Sequence, residues 1–168
     1  TRLLFLSLAL MPAMFLTACG PSNTVRLLSP APAVNPVLPA PNAPRVTVVP
    51  FTDNSQDTTN LGVRRDGSAF VASDDLAQWV SRGLADELRR QGVQVSYAMD
   101  ENQARSGNPD YIVTGTVEQA WLREVSATEL ATSMRATYRL APRSGRVVKE
   151  TLNSSQNRSG IPTGGAAE

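Results

Sequence analysis

The 168-residue chain has no histidine, one cysteine, one lysine and only 5% aromatic side chains. Each scarcity excludes something. Without imidazole there is no Ser-His-Asp or Cys-His nucleophile system, and no zinc site that uses histidine. A single cysteine cannot close an intramolecular disulfide. The formal charge is +1, with no basic stripe of the kind a nucleic-acid binder needs, so nucleic acid is excluded as a partner. Neither a P-loop nor Gly-x-Gly-x-x-Gly occurs, which removes the common phosphate cradles and with them any cofactor expectation. The length suits one domain with appendages.

The cysteine is informative because of where it stands. Arg2 precedes an apolar run from Leu3 to Ala18, interrupted only by Ser7, Pro12 and Thr17. A basic start, an apolar stretch of this length and small residues before a cleavage point describe an export leader. The run falls short of the ~20 residues of a membrane span, and Pro12 would disturb one. It ends Leu16-Thr17-Ala18-Cys19-Gly20, which resembles the bacterial lipobox. That resemblance implies cleavage before Cys19, with lipid on its sulfur and on the new amine. Two or more acyl chains hold a protein firmly, at ~0.8 kcal/mol per buried methylene. In lipoproteins of this kind an aspartate after the cysteine favours inner-membrane retention; Gly20 and Pro21 stand there instead, so the resemblance implies the outer membrane, periplasmic side.

Residues 19–44 then read as a tether. Pro21, Pro30, Pro32, Pro36, Pro39, Pro41 and Pro44 fall within it; proline removes donors and biases its predecessor to extended geometry. At about 3.1 Å per residue such a spacer would hold the folded part some tens of ångströms from the bilayer. Loss of Arg2 with the leader (1–18) leaves the mature form formally neutral.

Residues 45–158 read as one globular α/β (α+β) domain. Arg45 to Phe51 is a β-rich run. Asp66-Gly67 between Leu61-Gly62-Val63 and Ala69-Phe70-Val71 signals a hairpin turn. Leu76, Trp79, Val80, Gly83, Leu84 and Leu88 form one helical stripe, with Ser73 or Asp74 available as the cap and Gly92 as terminator. Asp86 is placed to pair with Arg90. A second strand over 92–97 implies a parallel partnership with the first, and one helical turn fits in 99–109. Strands beginning at Tyr111, at Leu130 and at Arg146 complete an antiparallel meander. The order is β-α-β-β-β with an inserted hairpin: a small mixed sheet with one main amphipathic helix, its other face poorly covered. The polar last strand is the expected sheet edge. Residues 159–168 read as a flexible tail or a cut end.

The lipobox, the Pro-rich segment, Val-Val-Pro-Phe-Thr-Asp at 48–53, the glycine-bearing arm, Trp79 to Gly92, and Asp110 to Val117 together resemble YajG-like bacterial envelope lipoproteins. The resemblance covers roughly Arg45 to Ser155. It implies a small envelope lipoprotein with an α/β domain and no established enzymatic activity.

Carboxylates available for acid-base work include Asp53, Asp57, Asp66, Asp110 and Glu118; Asp53, Asp57 and Asp66 stand in turn-like contexts and Asp110 just before a strand, and no sequence pattern sets two of them at a fixed separation. No enzyme is therefore expected, and no catalytic, cofactor or metal residue is assigned. The expectation is an envelope accessory or protein-binding module, anchored in the membrane through Cys19 and docking an envelope protein by its edge strand. The alternative is a glycan-binding module for peptidoglycan or lipopolysaccharide. Its candidate ligand face is Arg135 and Arg139 on one strand, with Arg64 and Arg65 at the hairpin tip.

Overall fold

The computed structural model describes residues 23–28 and 37–159. The chain order is β1 (Thr24–Val25), β2 (Arg45–Val48), β3 (Thr52–Asp53), β4 (Asn60–Val63), β5 (Ala69–Ala72), α1 (Leu76–Arg90), β6 (Gln94–Tyr97), α2 (Glu101–Ser106), β7 (Tyr111–Ser126), β8 (Glu129–Pro142) and β9 (Val148–Ser159). All nine strands belong to one mixed sheet. The expected α+β class therefore holds, with more sheet than helix.

The sixteen-residue β7 organises the sheet. One of its edges takes three short parallel strands in succession: β2 at Val46↔Tyr111, β3 at Thr52↔Thr116 and β4 at Gly62↔Leu122. Its other edge takes β8 antiparallel from Tyr111↔Pro142 to Ser126↔Glu129, and β9 continues the meander on β8. Beyond β2 lies β6, parallel as the strand-helix-strand order implies. Beyond β4 come its hairpin partner β5 and then β1.

The period-2 pattern explains the two faces. Val46, Val48, Val113 and Val117 point to the side covered by α1, where Leu76, Ala77 and Ala85 meet them in the main core with Phe51, Leu61 and Phe70. The intervening residues face the opposite side. There α2 covers part of the sheet through Ala104, packed with Val49, Ala98 and Ile112. The helical turn expected in 99–109 is thus a capped helix that shields a face read as bare. Toward β9 that face remains uncovered.

Local signals behave as their chemistry dictates. The Asp66-Gly67 turn forms, with Gly67 at φ +84° and Asp66 Oδ1 accepting the Ser68 N–H. Gly92, at φ +81°, ends α1. Two details differ. The cap of α1 is Asp75, whose side chain accepts the Gln78 N–H, because Asp74 is engaged by Leu27 N–H and the Ser73 hydroxyl. Asp86 pairs with Arg89 and Arg90 with Glu87, at i,i+3 rather than i,i+4.

The larger departure lies in the tether. Thr24 and Val25 pair with Val71 and Ala72, and Val25 is buried in the main core at 2% exposure. Leu27 packs against that core, and the Trp79 indole N–H donates to the Leu28 carbonyl. Further along, Gln94 donates its backbone N–H to Pro44 O and its side-chain amide to Ala40 O. Proline withholds donors only at its own positions. Residues 23–28 contain no proline and retain every donor, and Val25 and Leu27 supply the apolar surface that docks them.

Candidate functional site

Leu16, Thr17, Ala18 and Cys19 lie outside the described residues, as does the expected tail 159–168 except for Ser159, which closes β9. Among the described residues no helix is long and apolar enough to cross a membrane. No group of three His, Cys, Asp or Glu residues gathers there to hold a metal ion.

The expected sheet edge is β9. Its twelve residues are exposed throughout, and among the described residues it pairs with β8 alone. From Thr151 to Asn157 it carries seven consecutive uncharged residues and no proline. Leu152 among them is 58% exposed. Natural edge strands are ordinarily guarded by lysine, proline or a bulge. Here the charges, Lys149, Glu150 and Arg158, stand only toward the ends, leaving the middle open for another strand.

The four arginines of the candidate ligand face are dispersed. Arg64 is inward: its guanidinium pairs with Glu124 at 3.3 Å, bonds Asn23 Oδ1 at 2.9 Å and lies 5.5 Å from the centre of the Phe70 ring. Both partners of the Arg64–Glu124 pair are nearly buried, at 12% and 13% side-chain exposure. Arg64 is thus a structural clamp. Arg65 is exposed at the hairpin turn, its backbone N–H donating to the same Glu124 carboxylate. Arg135 is exposed and donates to Asn153 Oδ1 across the strand pair.

Arg139 enters a concave setting. A groove of about 340 Å³ is walled by Arg139, Arg105 and Arg143, with Glu101 between and Ile112 and Val147 as apolar lining. The Glu101 carboxylate serves two cations, accepting from Arg139 at 2.7 Å and from Arg105 at 3.1 Å. Arg143 bonds the Asn108 and Pro109 carbonyls and lies 3.3 Å from Asp110. The Arg45 N–H, then the Arg45 and Arg143 charges, hold the Asp110 carboxyl below its usual range. The sequence reading missed Glu101, Arg105 and Arg143. Asp100 as a helix cap followed by Glu101 and Arg105 at i,i+4 was a findable signal; the approach of Arg143 was not, since it depends on the β7–β8 register.

A second groove, of about 460 Å³, lies between α1 and the end of β6 and includes Arg82, Tyr97 and Met99. The carboxylates weighed for acid-base work serve local structure. Asp53 accepts from Ser55, Asp57 from Thr59 and Asn60, and Glu118 from the Thr137 hydroxyl.

No protein-family model and no curated protein matches the chain. Among solved structures it is similar to protein XCC0632 from Xanthomonas campestris, of family DUF330, at 15% identity over 87% of this chain and 83% of that one, with a TM-score of 0.52. Looser likenesses are the PelC dodecamer from Paraburkholderia phytofirmans (22% identity, 73% and 76% coverage, TM-score 0.45) and lipoprotein GNA1162 from Neisseria meningitidis (16%, 69% and 83%, 0.44). At these identities the likeness to XCC0632 shows a shared fold and nothing more.

Proposed function

We propose that the chain is a non-enzymatic lipoprotein of the bacterial outer membrane, facing the periplasm, which docks an envelope protein by adding that partner's strand to β9. The anchor rests on the lipobox at Leu16-Thr17-Ala18-Cys19 and on the resemblance to YajG-like lipoproteins. Docking rests on one observation, the twelve-residue open edge with its uncharged, proline-free middle. Main-chain hydrogen bonds supply affinity in such strand addition, and alternate side chains supply selectivity. The lack of histidine supports a binding role over a catalytic one.

A proline scan over Glu150 to Asn153, read by in-cell photocrosslinking from Gln156, tests the docking. Alternate backbone N–H groups along a strand point to opposite edges. Proline should therefore abolish the crosslink at alternate positions while leaving the β8–β9 ladder intact. A crosslink indifferent to proline at every position contradicts strand addition.

A second reading is a glycan-binding module for peptidoglycan or lipopolysaccharide, supported by the groove that gathers Arg105, Arg139 and Arg143. Arginine forks suit phosphate and carboxylate groups. On this reading Arg139→Ala weakens co-sedimentation with purified sacculi or binding to lipopolysaccharide, whereas Arg135→Ala, outside the groove, changes neither.

A further inference from the structure

We infer that the folded domain lies directly on the phospholipid headgroups, with the β4–β5 turn and the far end of β7 facing the bilayer. This inference rests on lipidation of Cys19 and replaces the distance that a free tether would set.

The argument is one of chain length. Asn23 is already part of the domain: its carbonyl accepts the Val71 N–H and its side chain accepts from Arg64. Thr24 and Val25 continue as a sheet strand, with Val25 sealed in the core. Four Cα steps separate Cys19 from Asn23, so even full extension spans only about 14 Å. The headgroup layer takes up about 5–8 Å of that in each leaflet. Too little chain remains for the domain to stand clear of the lipid. The rest of the Pro-rich segment adds no reach, because it follows β1 and its described end is held at Ala40 and Pro44.

The pairing also sets the orientation. β1 runs parallel to β5, so the chain before Asn23 leaves on the side where β5 begins, at the turn Arg64–Ser68. The same end of the sheet carries Arg123, opposite Val63, and the β7–β8 connection beyond it. Arg65, Asp66, Arg123 and Val125 are exposed there. Such a mixed polar surface, with one apolar side chain, is compatible with a headgroup layer. The groove at Arg139 lies at the opposite end, beside Ile112. From Val113, level with β2, to Arg123 is ten residues of β7, about 33 Å at about 3.3 Å per residue. The open edge of β9 runs between the two ends.

The test uses full-length lipidated protein in phospholipid vesicles, with a fluorophore on Arg65→Cys or on the exposed Met99→Cys. Lipidated Cys19 has no thiol to label. Nitroxide-headgroup lipid should quench the label at 65 severalfold more than the label at 99. Inserting fifteen Gly/Ser residues between Ser22 and Asn23 adds a root-mean-square reach of about 20 Å and should remove most of that quenching. Lipidated protein whose two labels are quenched alike, or whose quenching ignores the insertion, overturns this inference alone. Protein whose Cys19 carries no lipid overturns the anchoring reading and this inference with it.

Discussion

The hydroxyl of Ser81 accepts the backbone N–H of Phe51 at 2.7 Å, and both atoms are buried. Ser81 is 0% exposed and passes its own proton to Ala77 O at 2.6 Å. The contact fastens α1 to the chain between β2 and β3, where a ladder partner is missing. It also sets Phe51 in place over the sheet.

Ser81→Ala leaves the Phe51 N–H buried without an acceptor. The expected cost is about 1–3 kcal/mol. A denaturant titration should show a lower midpoint with an unchanged slope.

Phe51 in turn explains a glycine in mid-strand. A Cβ on Gly115 would stand 2.4 Å from the Phe51 ring, too close for either to stay. Gly115→Ala should cost about 1–3 kcal/mol through overpacking. In a Phe51→Leu background the same change should cost clearly less, and that non-additivity, measured as a double-mutant cycle, identifies the contact.

Arg64 ties three elements together through Glu124, Asn23 and Phe70. Arg64→Met should destabilise by about 1–3 kcal/mol, since it leaves the nearly buried Glu124 carboxylate without its counter-charge. Because Asn23 loses its guanidinium partner, hydrogen exchange at the Val71 amide should speed up more than at the Val113 amide. Equal changes at both sites would contradict a local role in holding β1.

Asp57, Asp66, Asp74, Glu87 and Asp110 all have their carboxyls held below their ordinary values, chiefly by hydrogen bonds they accept. A lowered pKa in the fold means that the unfolded chain takes up protons first as pH drops. Stability from these groups is complete above the unfolded values, near about 4, and drains away as pH falls through the lower folded ones. Denaturation midpoints should therefore be level from pH 7 to about 5 and decline below about 4. Asp110→Asn should shallow that decline.

What the sequence disclosed follows the range of the interactions concerned. The hairpin turn, the α1 stripe, the strand starts and the polar edge are encoded within a few residues of themselves, by Asp66-Gly67, by the spacing from Leu76 to Leu88 and by period-2 alternation. β1 is encoded nowhere locally. Two residues among prolines become a strand because Val71, Ala72 and the core under Val25 await them, some 47 positions away. The groove at Arg139 was half legible: its arginine was singled out, but Glu101 and Arg105 reach it from α2. Arg64 misled for the opposite reason, since a charge at a hairpin suggests solvent and only Glu124, brought by the β4–β7 register, turns it inward.

The state of Cys19 in protein extracted from native membranes decides the central claim. Intact-mass analysis should find a chain beginning at Cys19 and carrying more than one acyl chain. A free Cys19 thiol, or a leader still attached, would contradict the anchor on which the proposed address and the proposed partner both depend.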